Sequence, residues 1–462
     1  MTSTVTPTEL RARFAVILSG LYGREVPAYQ TLVEVAHGVN ADVAARLGGA
    51  AERLGSLDRV TAERHGAVRV GTPTEMAQVA RIFAAMGMHP TGYYDLRDAS
   101  ASSVPVVSTA FRPIDPEELA ANPFRVFTSL LASTDRRFFT SDLSGRLQAF
   151  LADRELFSPQ LMTLADRAIA HGALSGSDAD EFLTLAAQSF ALSTEPIDRV
   201  WYTELEQVSA VAADIGGVTS THINHLTPRV LDIDMLYARM SARGITMIDT
   251  IQGPPRWDGP AVLLRQTSFK ALAEPRQFRD ADGTIREGSL RVRFGEVEAR
   301  GIALTRQGRA RYDQAVVDAD SAGPDGAAAV WARHFPSSEA ELFSSGLGVY
   351  TVRTATDRPG NGDQPHGSVA DLIGGGWLEA EPVVYEDFLP RSAAGIFQSN
   401  LTDAGSKDAA VEGADLDAAW LEGVLNRPLN DPFDLYEEQR HTSIDTALRH
   451  LGMPPIPEQV DA

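Results

Sequence analysis

A strand–helix–strand–strand–strand unit that recurs in one chain, headed each time by His-x-x-x-Arg, constrains this sequence more than any other feature. In the first copy, His65-Gly66-Ala67-Val68-Arg69-Val70 reads as a short strand. Thr72 and Glu75 then form a capping-box pair with Pro73 at the first helical position. The helix continues through Met76, Val79, Ile82, Phe83 and Met86, and Gly87 is placed to end it. Strands are expected over 91–96 and 104–111. In the second copy, His225-Leu226-Thr227-Pro228-Arg229-Val230 takes the place of the first strand, Asp232 caps the helix and Gly244 ends it. Strands are expected over 245–251, 261–269 and 290–299, the last from the alternation of Leu290, Val292 and Phe294 with charged neighbours. The copies share order rather than identity, the pattern of a divergent duplication.

The histidines that head the two copies carry the chemistry. Side chains at even offsets share a strand face. His65 and Arg69 therefore point the same way, roughly 13 Å apart at about 3.3 Å per residue. That separation suits a metal ligand and an arginine reaching the far end of a metal-bound acid, because the guanidinium fork pairs with carboxylates and keeps its charge. His225 and Arg229 repeat the geometry, perturbed by Pro228. Glu296 and Glu298 share a face of a later strand, so one can be a ligand and the other a supporting or pocket group. Two histidines and one carboxylate on three strands make the facial set that holds non-haem Fe(II) and leaves positions open. His222 competes with His225, and Glu298 with Glu296.

Composition narrows the metal. The chain has no cysteine, so thiolate sites, iron–sulfur clusters, disulfides and a thiol nucleophile are all excluded. Its 41 Lys+Arg against 62 Asp+Glu leave a net charge of −21, which argues against a nucleic-acid partner. An acidic substrate then needs local arginine, and Arg69 and Arg229 are the places for it. The N-terminus has no basic, apolar leader, and Phe14 to Leu21 is too short to span a bilayer. The cytoplasm is the expected location, with no membrane partner; no oligomeric partner is legible.

Four segments carry a resemblance. His65 to Arg69, the stretch Ile223-Asn224-His225-Leu226-Thr227-Pro228-Arg229, the stretch Phe294-Gly295-Glu296-Val297-Glu298-Ala299-Arg300-Gly301, and the run from Tyr385 to Leu401 resemble those of the 2-oxoadipate dioxygenase/decarboxylase family. That family belongs with the vicinal oxygen chelate proteins. The resemblance implies an α+β fold: two divergent βαβββ modules forming a curved, partly closed β-sheet around a metal site. It implies one elaborated catalytic domain over 1–462. Within it lie a helical N-terminal segment (1–60), a first module (61–115), a helical insertion (116–200), a second module (215–302) and C-terminal helices and loops completing the pocket (303–462).

The resemblance also assigns roles. Phe294, Glu296 and Arg300 match a Phe-x-Glu-x-x-x-Arg strand, which selects Glu296 over Glu298. His65, His225 and Glu296 become ligands of Fe(II), with both histidines also touching substrate. Arg69 becomes the catalytic and substrate-binding arginine. Arg391 and Ser392 mark a substrate-contacting segment, in which the family carries Val where this chain has Arg391. The implied reaction turns 2-oxoadipate and O2 into 2-hydroxyglutarate and CO2, as in lysine catabolism. The alternative on the same site is a metal-dependent isomerase or lyase acting on a small 2-oxo acid.

Overall fold

In the computed structural model, which describes residues 4–98, 104–291, 293–357, 364–390, 396, 400, 407, 408 and 411–455, the helix signals act where they stand. Thr72 accepts from the Glu75 N–H and Glu75 accepts from the Thr72 N–H, so the helix Pro73–Ala84 opens on a complete capping box. Gly87 follows at φ +68°, a conformation that glycine adopts without a Cβ penalty. In the second copy Asp232 accepts from the Met235 N–H to open Ile233–Ala242, and Gly244 follows at φ +77°.

The strands are β1 (Thr4–Val5), β2 (Arg64–Val70), β3 (His89–Asp95), β4 (Val106–Arg112), β5 (Arg125–Leu131), β6 (Leu174–Ser175), β7 (Ile197–Asp198), β8 (His225–Pro228), β9 (Leu264–Phe269), β10 (Glu274–Arg279), β11 (Ile285–Leu290), β12 (Gly295–Arg300), β13 (Tyr350–Thr354) and β14 (Leu378–Pro382). The largest sheet runs β3-β4-β5-β2-β8, with β2 and β5 parallel and the other neighbours antiparallel. Every residue of β2, β4 and β5 is buried, so both faces of this sheet are covered. Alternation along β2 divides its side chains between two cores. Val68 and Val70 join Phe14, Val79 and Phe83 under the N-terminal helices. Ala67 joins Phe127, Phe294 and Phe388 on the opposite face, which His65 and Arg69 share by their even spacing.

β12 pairs antiparallel with β9. It meets β8 through a parallel bridge between Arg229 and Glu298, where the Val230 N–H donates to the Glu298 carbonyl at 2.8 Å. β2, β8 and β12 are thus lateral neighbours. The protein is α+β, with mixed sheets and helices. No helix of the described residues is long and apolar enough to cross a membrane.

Three sequence expectations are corrected. The segment 245–251 forms a single isolated bridge, Met247 with Phe269, because its alternation is broken by polar Thr246, Asp249 and Thr250 and stops at Gly253-Pro254-Pro255. The stretch 290–299 is two strands rather than one. Arg293 is drawn inward between Glu25 and Glu274, which breaks the alternation, and Val292 lies outside the described residues. The segment 116–200 is not wholly helical: it contains β5, a buried run without alternation, and its long helices begin only at Ser141.

Candidate metal centre

Three adjacent strands deliver three ligand-type side chains to one point. His65 on β2, His225 on β8 and Glu296 on β12 each offer one ligand atom, and these atoms lie within 4.8 Å of one another. The β2–β8 register pairs His65 with Thr227 and Ala67 with His225, so the two histidines sit diagonally on one face. Their rings meet edge to face, with centroids 5.3 Å apart. His65 Nε2 lies 3.8 Å from one Glu296 oxygen and His225 Nε2 lies 3.4 Å from the other.

The opposite ring nitrogens have polar neighbours of their own. His65 Nδ1 lies 3.0 Å from Glu298 Oε2, and His225 Nδ1 lies 3.0 Å from Thr227 Oγ1. Neighbours of this kind set which nitrogen of a ligating histidine carries its proton. Both rings therefore turn Nε2 toward Glu296. Gln266 on β9 donates its amide N–H to Glu296 Oε1. Around these groups, Phe127, Phe294, Phe388 and Ile396 close a cavity of about 20 Å³. Phe294 stacks on His225 and Phe388 packs edge-on against His65.

The electrostatics favour a cation. Burial pushes His65 and His225 down from the ordinary histidine value, His225 well down, with His65 and Arg69 adding to the effect on His225. Both imidazoles are therefore neutral and able to ligate. Burial, and then the nearby Glu298, pushes the Glu296 carboxyl well above the usual carboxylate range. A bound divalent ion reverses that penalty. Two imidazole nitrogens and one carboxylate suit borderline divalent metals and leave positions for other ligands.

Behind this face runs a buried ionic network. Arg300 pairs bidentately with Glu298 at 2.6 and 3.0 Å. Arg125 reaches Glu63, Glu298 and Glu386; Arg59 pairs with Glu386; Arg229 pairs with Glu63 at 2.9 Å. Burial opposes ionisation of Glu298, but Arg300, His65 and Arg125 outweigh it and hold its pKa at about 2. Four arginines against three glutamates leave a positive surplus beside the site, which offsets the −21 of the whole chain locally.

The alternatives separate in space. His222 stands with Asp214 and Asn224, at 3.4 and 3.1 Å, rather than with the cluster. Glu298 faces the far nitrogen of His65. Arg69 shares the His65 face and pairs with Asp214, which also accepts from Asn224 Nδ2 at 2.9 Å. Arg229 does not face the site: it is spent on Glu63 and on the Leu54 carbonyl. Arg391 and Ser392 lie outside the described residues, but the segment before them is strapped down. Asp387 pairs with Arg112 and Tyr436, and Arg300 donates to the Tyr385 and Asp387 carbonyls at 2.7 and 3.0 Å. Gln266, Thr227 and Phe388 escaped the sequence reading. Strand pairing brings in Gln266, and pairing partners cannot be read from either strand alone; Thr227 stands two residues after His225 on the same strand.

Comparison with known proteins places the chain in a family. The family model of 2-oxoadipate dioxygenase/decarboxylase matches residues 14–400. A 2-oxoadipate dioxygenase/decarboxylase of Mycobacterium tuberculosis is 58% identical over 429 residues, covering 93% of this chain and 96% of that protein. One of Escherichia coli is 39% identical over 460 residues, covering 96% and 98%. The crystal structure of the hydroxyglutarate synthase from Pseudomonas putida in complex with 2-oxoadipate is similar with a TM-score of 0.85 at 36% identity, covering 98% of this chain and 100% of that one. The match spans the first histidine strand, the second and the carboxylate strand alike, and the chain belongs to the 2-oxoadipate dioxygenase/decarboxylase family.

Proposed function

We propose that this enzyme converts 2-oxoadipate and O2 into 2-hydroxyglutarate and CO2, with Fe(II) held by His65, His225 and Glu296. The observation that carries the reading is the convergence of those three side chains from three adjacent strands. The equation balances without a further oxidant: both oxygen atoms of O2 end in the two products. When bound, the iron supplies a chelation point for the 2-oxo acid and the redox chemistry for O2.

The chain's own residues do the rest. Glu298 and Thr227 hold the far nitrogens of the histidines, so that Nε2 of each is the ligating atom. Phe127, Phe294, Phe388 and Ile396 exclude water, which strengthens every charge interaction inside. Arg69, held by Asp214 on the His65 face, binds a carboxylate of the substrate. The segment holding Arg391 and Ser392 contacts the substrate. We read the sheets as two divergent βαβββ modules, β2 to β5 and β8 to β12, curved around the site within one elaborated catalytic domain.

An oxygen electrode tests the proposal. The Fe(II)-reconstituted protein given 2-oxoadipate is expected to take up O2 and release one CO2 per O2. No oxygen uptake with any 2-oxo acid would leave the isomerase or lyase alternative in its place.

A further inference from the structure

Gln266 lines the cavity with the three ligand-type residues, yet half of its amide has no partner among the described residues. Its backbone is pinned on both edges of β9. It sits opposite Glu298 in the β9–β12 register, and its N–H and carbonyl pair with Gln252 at 3.0 and 2.7 Å. Its side chain, 3% exposed, donates N–H to Glu296 Oε1. The ionised form of Glu296 that faces a cation can only accept, and toward it the amide turns its nitrogen, with its oxygen away. That oxygen is buried and has no hydrogen-bond partner among the described residues. A buried acceptor left in this state calls for a physical reason, and a ligand-facing role is one. The remaining cavity wall is Phe127, Phe294, Phe388 and Ile396, none of which carries a side-chain donor. Among the described residues no donor is placed for that oxygen, and a bound ligand can supply one.

We propose that Gln266 is a two-sided positioning residue: its amide nitrogen holds one oxygen of Glu296, and its carbonyl oxygen accepts from the hydroxyl of the 2-hydroxy acid product. The second half rests on the proposed reaction. An ionised 2-oxo dicarboxylate and O2 bring no hydrogen-bond donor, whereas the 2-hydroxy acid brings one. Gln266 thus distinguishes what leaves the site from what enters it. The first half concerns metal binding alone. By holding Oε1, Gln266 leaves Oε2, the oxygen nearer His225, as the atom of Glu296 free to face a cation.

Q266M keeps the side-chain volume and removes both polar contacts. Anaerobic Co(II) titration, followed by d–d absorption, is expected to show affinity weakened by about 10- to 100-fold, the range for loss of a group that orients a ligand. At saturating Co(II), inhibition by glutarate and by racemic 2-hydroxyglutarate is then compared; the two differ only by the hydroxyl. The preference for the hydroxylated acid is expected to fall by about 2- to 10-fold, the worth of one neutral hydrogen bond. Q266N, whose amide is one bond too short for either contact, is expected to show both losses should Q266M fail to fold. Unchanged Co(II) affinity overturns the hold on Glu296, and an unchanged inhibitor preference overturns the acceptor role. Failure of the wild type to consume O2 with 2-oxoadipate would sink the reaction while leaving the Co(II) result to stand or fall by itself.

Discussion

The two His-x-x-x-Arg strands start from the same pattern and end with different arginines. β2 has seven residues and a partner on each side, β5 and β8, so its period-two alternation holds from His65 to Arg69. β8 has four residues and stops at Pro228. Beyond it the chain crosses to β12, and Arg229 turns into the buried network against Glu63. Arg69 stays beside the site, close enough to depress His225. A recurring motif thus keeps its histidine in place where that residue sits inside the ladder. The role of its arginine is set by which strand comes next.

The largest effect should be common to both copies. His65→Ala and His225→Ala are each expected to abolish metal retention and oxygen uptake, as read by metal analysis after anaerobic Fe(II) reconstitution. If either variant kept the wild-type metal content, the two strands would not be equivalent ligand donors.

The arginines should then diverge. Arg229→Ala removes a partner from a buried carboxylate, and breaking such a pair costs about 3–5 kcal/mol of stability, readable by denaturant titration. KM of the folded fraction is expected to stay at its wild-type value. The same variant should alter acid stability in a defined direction. Burial works to raise the Glu63 pKa, but Arg229, then Arg125 and Arg59, outweigh it and hold the group well below the ordinary range. A carboxylate lowered on folding adds stability that is fully present above the unfolded value of about 4.3 and is lost as pH falls through the folded value. Without Arg229 the folded value rises toward the unfolded one, so this contribution is smaller and is exhausted at higher pH. A wild-type acid transition in Arg229→Ala would show that Arg125 and Arg59 suffice alone.

Arg69→Ala should spare the metal and strike the substrate. Loss of one charge-assisted contact, about 1.5–3 kcal/mol, predicts a rise in KM for 2-oxoadipate of roughly 10- to 100-fold. Metal content should match the wild type, since Arg69 ligates nothing. Full activity would remove Arg69 from the site and make Asp214 its whole purpose.

Much of the fold was legible because its signals are local. Thr72 with Glu75, Asp232, Gly87 and Gly244 each act on residues within one helical turn. The meeting of His65, His225 and Glu296 could be anticipated for a different reason: histidine and glutamate stood at repeated or motif-bound places. What stayed hidden depends on partners. β5 (Arg125–Leu131) is buried on both faces and so shows no alternation. Arg229 resembled Arg69 until Glu63, distant in sequence, claimed it. Strand alternation alone left Glu296 and Glu298 equivalent, the family motif picked out Glu296, and the lateral order β2, β8, β12 turns Glu296 toward both histidines and Glu298 behind His65. Gln266 belongs to a strand that was recognised, but its importance lies across a pairing register.

The smallest effect concerns the groups behind the two histidines, and it returns to the difference between the copies. His65 is backed by Glu298, a carboxylate anchored by Arg300 and Arg125. His225 is backed by Thr227, a neutral hydroxyl from its own strand. With a cation on Nε2, Nδ1 of His225 must carry the proton and donate to Thr227 Oγ1. Thr227→Val keeps the shape and deletes that acceptor, at a residue that is fully buried. Cation affinity is expected to fall by about 10-fold, the low end of the range for such partners. Glu298→Gln, which also disturbs two arginines, should cost more in affinity and in stability. If Thr227→Val cost as much as Glu298→Gln, the anchoring charge behind His65 would add nothing to ligand orientation. The second copy's single hydroxyl would then be as good a support as the first copy's network.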